Sequence, residues 1–230
     1  MEVDVGANLA RVRGKIARAA ERSGRKAGDI TLVAVTKTVG LDVIKQALIH
    51  GANVLGENKV QEMLEKMPLL PPDVQWHMIG RLQRNKVKYI VDKISLIHSL
   101  DRWSLAEEIQ KRAGKNNVTV PVLLQVNLAG EDTKSGLARG EVFDFLSDVA
   151  TLDNIKVRGL MTIAPYVDNP EEIRPVFRQM RQLAEELTGK IAGVEMNYLS
   201  MGMTNDFEIA IEEGANMVRI GSALFGPRVY

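Results

Sequence analysis

Apolar residues recur along this chain in two alternating rhythms. Val5, Leu9, Val12, Ile16 and the pair Ala19 and Ala20 fall at helical spacing, with Arg11, Lys15, Arg18, Glu21 and Arg22 on the other side, until Gly24 and Gly28 end the run. The stretch from Thr31 to Lys37 breaks that period. A block of β-branched and aliphatic residues without polar alternation suits a strand buried on both faces, as in a parallel sheet. From there the two rhythms take turns. Helices are predicted over 41–49, 59–66, 84–91, 102–113, 141–152, 171–187 and 206–213; the strands between them are predicted over 53–55, 74–79, 94–98, 118–127, 157–163, 196–200 and 217–220. About eight strand–helix units result, the count that closes a (β/α)8 barrel near its typical ~250 residues. The expected architecture is a single α/β domain over 1–230: a TIM-type (β/α)8 barrel over 29–230 with an extra N-terminal helix over 1–28. An open doubly wound sheet is the alternative, but no Gly-x-Gly-x-x-Gly follows the first strand and no Gly-x-x-x-x-Gly-Lys-Ser/Thr occurs.

Composition narrows the function classes. The 230 residues are 45% hydrophobic and 26% charged, enough to bury a sizeable core. Thirty basic and twenty-nine acidic side chains leave a formal charge of +1, so no global field calls for nucleic acid or an anionic membrane. The absence of cysteine excludes disulfides, thiolate metal sites and thiol nucleophiles. The start, Met-Glu-Val-Asp-Val, has no apolar leader, and no run approaches the length of a membrane span. A soluble, cytoplasmic protein is expected, with a monomer as the expected state.

Candidate chemistry gathers at the carboxyl ends of the predicted strands, where barrels build their sites. Lys37 sits at the exit of the first strand. Partial desolvation there favours a neutral amine, the form that attacks an aldehyde to make a Schiff base, although a lone lysine at a strand end also serves simply to reach water. After the seventh strand comes Ser200-Met-Gly-Met-Thr-Asn-Asp206, and after the eighth Arg219-Ile-Gly-Ser222. Gly202 and Gly221 permit backbone N–H groups to approach an anion, and Ser200, Thr204 and Ser222 add hydroxyls, so these loops read as a phosphate cradle. Arg219 reads as a further clamp. Such a lysine and cradle fit a Schiff-base aldolase acting on phosphosugars as well as they fit pyridoxal 5′-phosphate.

The residues resemble the pyridoxal-phosphate-binding homeostasis proteins, a family similar in fold to the N-terminal barrel of alanine racemase. The matching stretches run in order along nearly the whole chain: Val33-Ala-Val-Thr-Lys37, Gly56-Glu-Asn58 with Gln61-Glu62, His77-Met-Ile-Gly80 with Leu82-Gln83 and Asn85-Lys86, Gln125-Val-Asn127, Lys134-Ser-Gly136, Arg158-Gly-Leu-Met161, Leu199 to Asp206, and Val218-Arg-Ile-Gly221. The resemblance implies that Lys37 carries pyridoxal 5′-phosphate as a Schiff base. It implies that Ser200, Thr204, Gly221 and Ser222 surround the phosphate and that Arg219 faces the pyridine nitrogen; Asn58, His77, Met201 and Gly202 are read as further cofactor-binding residues. Thr204 stands where many relatives have serine and keeps the hydroxyl. The implied task is intracellular storage, delivery or protection of the cofactor, with apo forms of cofactor-dependent enzymes as further partners.

An always-protonated Arg219 requires an unprotonated ring nitrogen, which is a poor electron sink, so extensive carbanion chemistry is disfavoured and no catalytic turnover is expected. A racemase-like enzyme, the main alternative, would need a second acid/base; the sequence ends eleven residues past Arg219, and Tyr166, Tyr198 and Tyr230 read as packing aromatics. His77 and His98 lack metal-ligand spacing, and no metal is expected. Arg81, Arg84, Lys86 and Lys88 read as a solvated helix face, a cheaper account than RNA binding. Lys134, in a glycine-flanked loop after the fifth strand, is a possible relay: a second amine able to exchange with Lys37, set against a plain surface pairing with Glu131 or Asp132.

Overall fold

The computed structural model describes residues 3–128 and 135–227. Helix α1 (Val5–Arg22) comes first: the Asp4 carboxylate accepts from the Ala7 N–H at 2.8 Å, and the six apolar positions read from the sequence form its buried stripe. Then come β1 (Thr31–Val35), α2 (Leu41–Ile49), β2 (Val54–Glu57), α3 (Val60–Lys66), β3 (Gln75–Met78), β4 (Leu96–Leu100), α4 (Trp103–Asn116) and β5 (Val120–Asn127). The second part carries β6 (Leu137–Ala138), α5 (Val142–Val149), β7 (Ile155–Met161), α6 (Arg174–Leu187), β8 (Tyr198–Ser200), α7 (Phe207–Glu212), β9 (Met217–Ile220) and α8 (Ser222–Phe225). The strands pair in parallel in the order β4, β3, β2, β1, β9, β8, β7, β5, and a β4–β5 pairing closes the ring. Eight strands therefore make the expected TIM-type (β/α)8 barrel, with two-residue β6 beside the end of β5. No helix among the described residues is long and apolar enough to cross a membrane.

Strand parity divides the core in two. The pairings place Val35, Gly56, His77 and Leu96 side by side across β1 to β4, and Gln125, Met161, Ser200 and Met217 side by side across β5, β7, β8 and β9; these point into the barrel. The bottom of that interior is apolar, a cluster of Val33, Leu96, Leu123, Met161 and Met217. Toward the carboxyl ends it turns polar, through His77, His98, Gln125, Ser200 and Arg219. The larger cluster lies outside, between strands and helices, so β1 is indeed buried on both faces. Gly56 is demanded by the narrow interior: a Cβ there would meet Val33 Cγ1 at 2.8 Å.

Three departures from the expected elements have physical causes. Residues Arg84–Tyr89 form a 3-10 turn instead of a helix over 84–91, a form that short segments tolerate. The helix expected from 171 begins at Arg174, because the prolines at 170 and 175 limit the amide donors, and a 3-10 turn, Pro170–Ile173, precedes it. α8 and β6 are too short to carry a period in sequence.

Candidate functional site

The carboxyl ends of the strands surround a cavity of about 390 Å³. Of the residues singled out from sequence, Lys37, Asn58, Thr204, Arg219, Gly221 and Ser222 line it. Strand parity explains the set: Lys37 continues the inward series Val33, Val35, and Gly221 continues Met217, Arg219. A smaller lobe of about 210 Å³ shares Asn58, Ile79 and Ile163 with the cavity and is completed by Gln125, Asn127 and Ser135, where Gln125 Nε2 donates to the Ser135 carbonyl at 2.8 Å. Lys134 and Tyr230 lie outside the described residues.

Arg219 is the buried centre of the site. Its Nη1 donates to the Ser200 carbonyl at 2.8 Å and to Ser200 Oγ at 2.6 Å, and its Nη2 to the Thr162 carbonyl at 2.8 Å. Burial lowers its pKa to about 10, opposed by the nearby Asp206 carboxylate, so it stays charged at neutral pH. From Arg219 a chain of bonds runs across the interior. Ser200 Oγ lies 3.0 Å from His98 Nδ1, and His98 Nε2 lies 3.0 Å from His77 Nδ1. A guanidinium only donates, so Ser200 Oγ accepts from Arg219; the direction of the two imidazole contacts is set by the ring tautomers. Burial keeps both rings neutral: it pushes His77 down to about 4 and His98 well below the usual range, with His77 and Arg219 adding to the latter.

Four of the expected residues, Ser200, Met201, Gly202 and His77, are not among those lining the cavity. Ser200 and Met201 are fully buried, and His77 is buried. Ser200 spends its hydroxyl on Arg219 and His98, beneath the floor. Gly202, at φ +92°, serves the turn into α7, where a Cβ would meet Phe207 Cα at 2.9 Å. The hydroxyls that do face the cavity are Thr204 and Ser222, 3.2 Å apart at the heads of the last two loops, with the Ala223 N–H 3.4 Å from Thr204 Oγ1. Sequence reading missed several lining residues: Ile163, Ala164, Met203, Asn205 and Asp206. Tyr166, expected to pack, is 79% exposed at the rim, while Tyr198 packs against the inner cluster as expected. Burial raises the Asp206 carboxyl, against the pull of Arg219 and the Met203 N–H.

The loop that carries Lys37 is clamped from the outer face. The Thr36 carbonyl accepts from Lys66 Nζ at 2.7 Å, its hydroxyl donates to Glu57 Oε1 at 2.7 Å, and the Thr38 N–H donates to Glu62 Oε1 at 2.5 Å. Lys66 Nζ also reaches Glu57 and Glu62, each at 2.7 Å. Thr38 has φ +62°, a left-handed conformation that a β-branched residue adopts only when its surroundings impose it.

The model of the alanine racemase N-terminal domain family matches residues 7–229. The pyridoxal phosphate homeostasis protein of Aquifex aeolicus is 51% identical over 223 residues, covering 96% of this chain and 97% of that one. The chain belongs to the pyridoxal phosphate homeostasis protein family. Another member of this family, from Escherichia coli strain K12, is 38% identical and covers 99% of this chain and 98% of its own. Among solved structures, PipY of Synechococcus elongatus with pyridoxal phosphate bound superposes with a TM-score of 0.85 at 33% identity, covering 97% of this chain and all of that one. The homeostasis proteins quoted are named for the cofactor, not for a reaction.

Proposed function

We propose that this protein binds pyridoxal 5′-phosphate at the barrel mouth, joined to Lys37 as a Schiff base, and serves homeostasis of the cofactor by storing, delivering or protecting it. The observation that carries this reading is the convergence on one cavity of an amine (Lys37), a pair of hydroxyls on adjacent loops (Thr204 and Ser222) and a buried guanidinium (Arg219). The cavity's size suits a ligand of this kind. So does Asn58, whose Oδ1 is buried without a partner among the described residues and asks for a donor.

In this reading Thr204, Ser222 and the backbone at Gly221 hold the phosphate, and Asp206 stands close enough to offset the charge of Arg219. The exposed rim of Ile163, Tyr166 and Met203 offers apolar area against a planar ring. When bound, the cofactor supplies an aldehyde for amines. Arg219 keeps its proton at neutral pH and donates, which favours a ring nitrogen that only accepts and weakens the ring as an electron sink. Such a site suits holding the cofactor more than turning over amino acids. The recipients are apo-enzymes met in the cytoplasm by a monomer in which residues 1–230 act as one domain.

Borohydride reduction followed by peptide mass spectrometry tests the attachment. Reduced adduct is expected on Lys37 alone; Lys37→Ala should lose it and retain weaker, non-covalent binding through Thr204 and Ser222. Adduct at unchanged yield in that variant would remove Lys37 from the reading.

A further inference from the structure

Several surface arginines pair with carboxylates, whereas one groove gathers cations that no carboxylate in its lining answers. Arg22, Arg139, Arg174 and Arg181 all reach carboxylates within 2.9 Å. The groove between the loops after β2 and β3 and the 3-10 turn Arg84–Tyr89, a cavity of about 700 Å³, is different. Its charged lining consists of Lys59, Arg81, Arg84, Lys86 and Arg102, with no carboxylate among the lining residues. Arg102 is committed: it donates to the Leu82 carbonyl at 2.6 Å and pairs with Asp101 at 2.5 Å, and so builds the wall. The other four form no ion pair with any described residue. The Glu108 carboxylate senses Arg84 but is bonded to Arg112 at 2.6 Å, and Lys86 has only the Tyr89 ring, at 5.9 Å.

Four unpaired cations around one concavity repel one another, and an anion seated among them would relieve that repulsion. We propose that this groove is a second binding site, for a small phosphorylated polyanion such as a sugar bisphosphate. Lys59, Arg81, Arg84 and Lys86 take the phosphate oxygens, and the amides of Gln61 and Gln83, which also line the groove, take hydroxyl groups. The volume is that of a small-molecule pocket. Nucleic acid fits less well, because the exposed aromatics nearby, Tyr89 and Trp103, lie outside the lining and offer no stacking platform within it. Arg81 also lines the smaller lobe of the barrel mouth, and Asn58 lines groove and mouth alike, so an occupant here would abut the first site. The inference does not depend on what occupies that first site.

Fructose 1,6-bisphosphate and pyrophosphate are the probes, titrated by calorimetry and by tryptophan fluorescence, at constant ionic strength with sulfate as the control ion. Saturable binding is expected, at least tenfold weaker in R81Q/R84Q and within twofold of the parent in Lys37→Ala and in Thr204→Val. Both arginines are exposed, so the double variant should fold as the parent does, which its thermal melt verifies. Equal affinity in parent and R81Q/R84Q overturns the proposal. So does loss of binding in Thr204→Val instead, which would put the anion in the barrel mouth. Sulfate or an acidic peptide binding as tightly as either probe would also overturn it, leaving general anion attraction or a protein surface as the explanation.

Discussion

The inner and outer faces of the same strands handle buried charge in opposite ways. On the inner face, Arg219 is the one charged member of a hydrogen-bonded chain through Ser200, His98 and His77, in which every other group is neutral and the cation remains at the cavity wall. On the outer face, Lys66 sits between Glu57 and Glu62 and also holds the Thr36 carbonyl, so its donors are spent. The inner arrangement leaves hydrogen-bonding capacity for something to bind; the outer one consumes its capacity to fix the backbone on both sides of Lys37. Among the described residues, Glu57 Oε2 stays without a partner there, in keeping with burial raising the Glu57 carboxyl above its ordinary value. One residue step past the end of β2, from Glu57 to Asn58, crosses from one regime to the other.

The largest effect should come from opening the outer cluster. Lys66→Met leaves two carboxylates without their cation, one of them fully buried, and should cost about 3–5 kcal/mol in urea unfolding. Adding Glu57→Leu should recover much of that loss, because no buried charge is then left unpaired. A single-variant loss under about 1 kcal/mol would mean that water already reaches the cluster.

Acid should separate the inner face from the outer. His77 is held near 4 against an ordinary value of 6.5, so the unfolded chain takes up a proton that the folded chain refuses. The sign is fixed: stability from this group is whole above about pH 6.5 and is lost as pH falls toward 4, by about 3 kcal/mol in all. His98 acts in the same direction. Urea midpoints between pH 7 and 4 should fall less steeply for His77→Gln than for the parent, and superimposable limbs would show that His77 is not kept neutral by the fold.

The smallest structural effect belongs to Lys134, which lies outside the described residues. Lys134→Ala should leave the unfolding midpoint unchanged and slow the transfer of cofactor to an apo-enzyme at matched loading. Equal transfer rates would make it a surface charge.

The alternation of helix and strand was legible because nearly every barrel strand is a short apolar block bounded by glycine, proline or charge, and the inward parity of Lys37, Asn58 and Arg219 could be read by counting in twos. What could not be read is how the inward polar residues divide among themselves. Ser200 and Thr204 look alike in sequence; one is consumed beneath the floor and the other faces the cavity, because Arg219 and His98 arrive beside Ser200 from different strands. The outer cluster left a signal that was passed over. Glu57 follows Leu55 on the buried outward series of β2, and an acid there needs a cation; Lys66, four residues after Glu62 on α3, supplies it. Tyr166 carried no pattern at all, since a rim position obeys neither period.

The attachment of α1 also sets a timetable for the growing chain. Arg22 pairs with Glu212, 190 positions away, Asn8 donates to the Leu224 carbonyl, and β1 takes one of its two neighbours from β9. At about 5–20 residues per second of synthesis, the first helix and the first strand must wait roughly 10–40 s for those partners to leave the ribosome. Throughout that interval one edge of β1, and the part of the apolar stripe of α1 that α7 and α8 later cover, face the cell. So high a contact order makes folding slow, and it makes the nascent amino terminus the segment where chaperone occupancy would be concentrated.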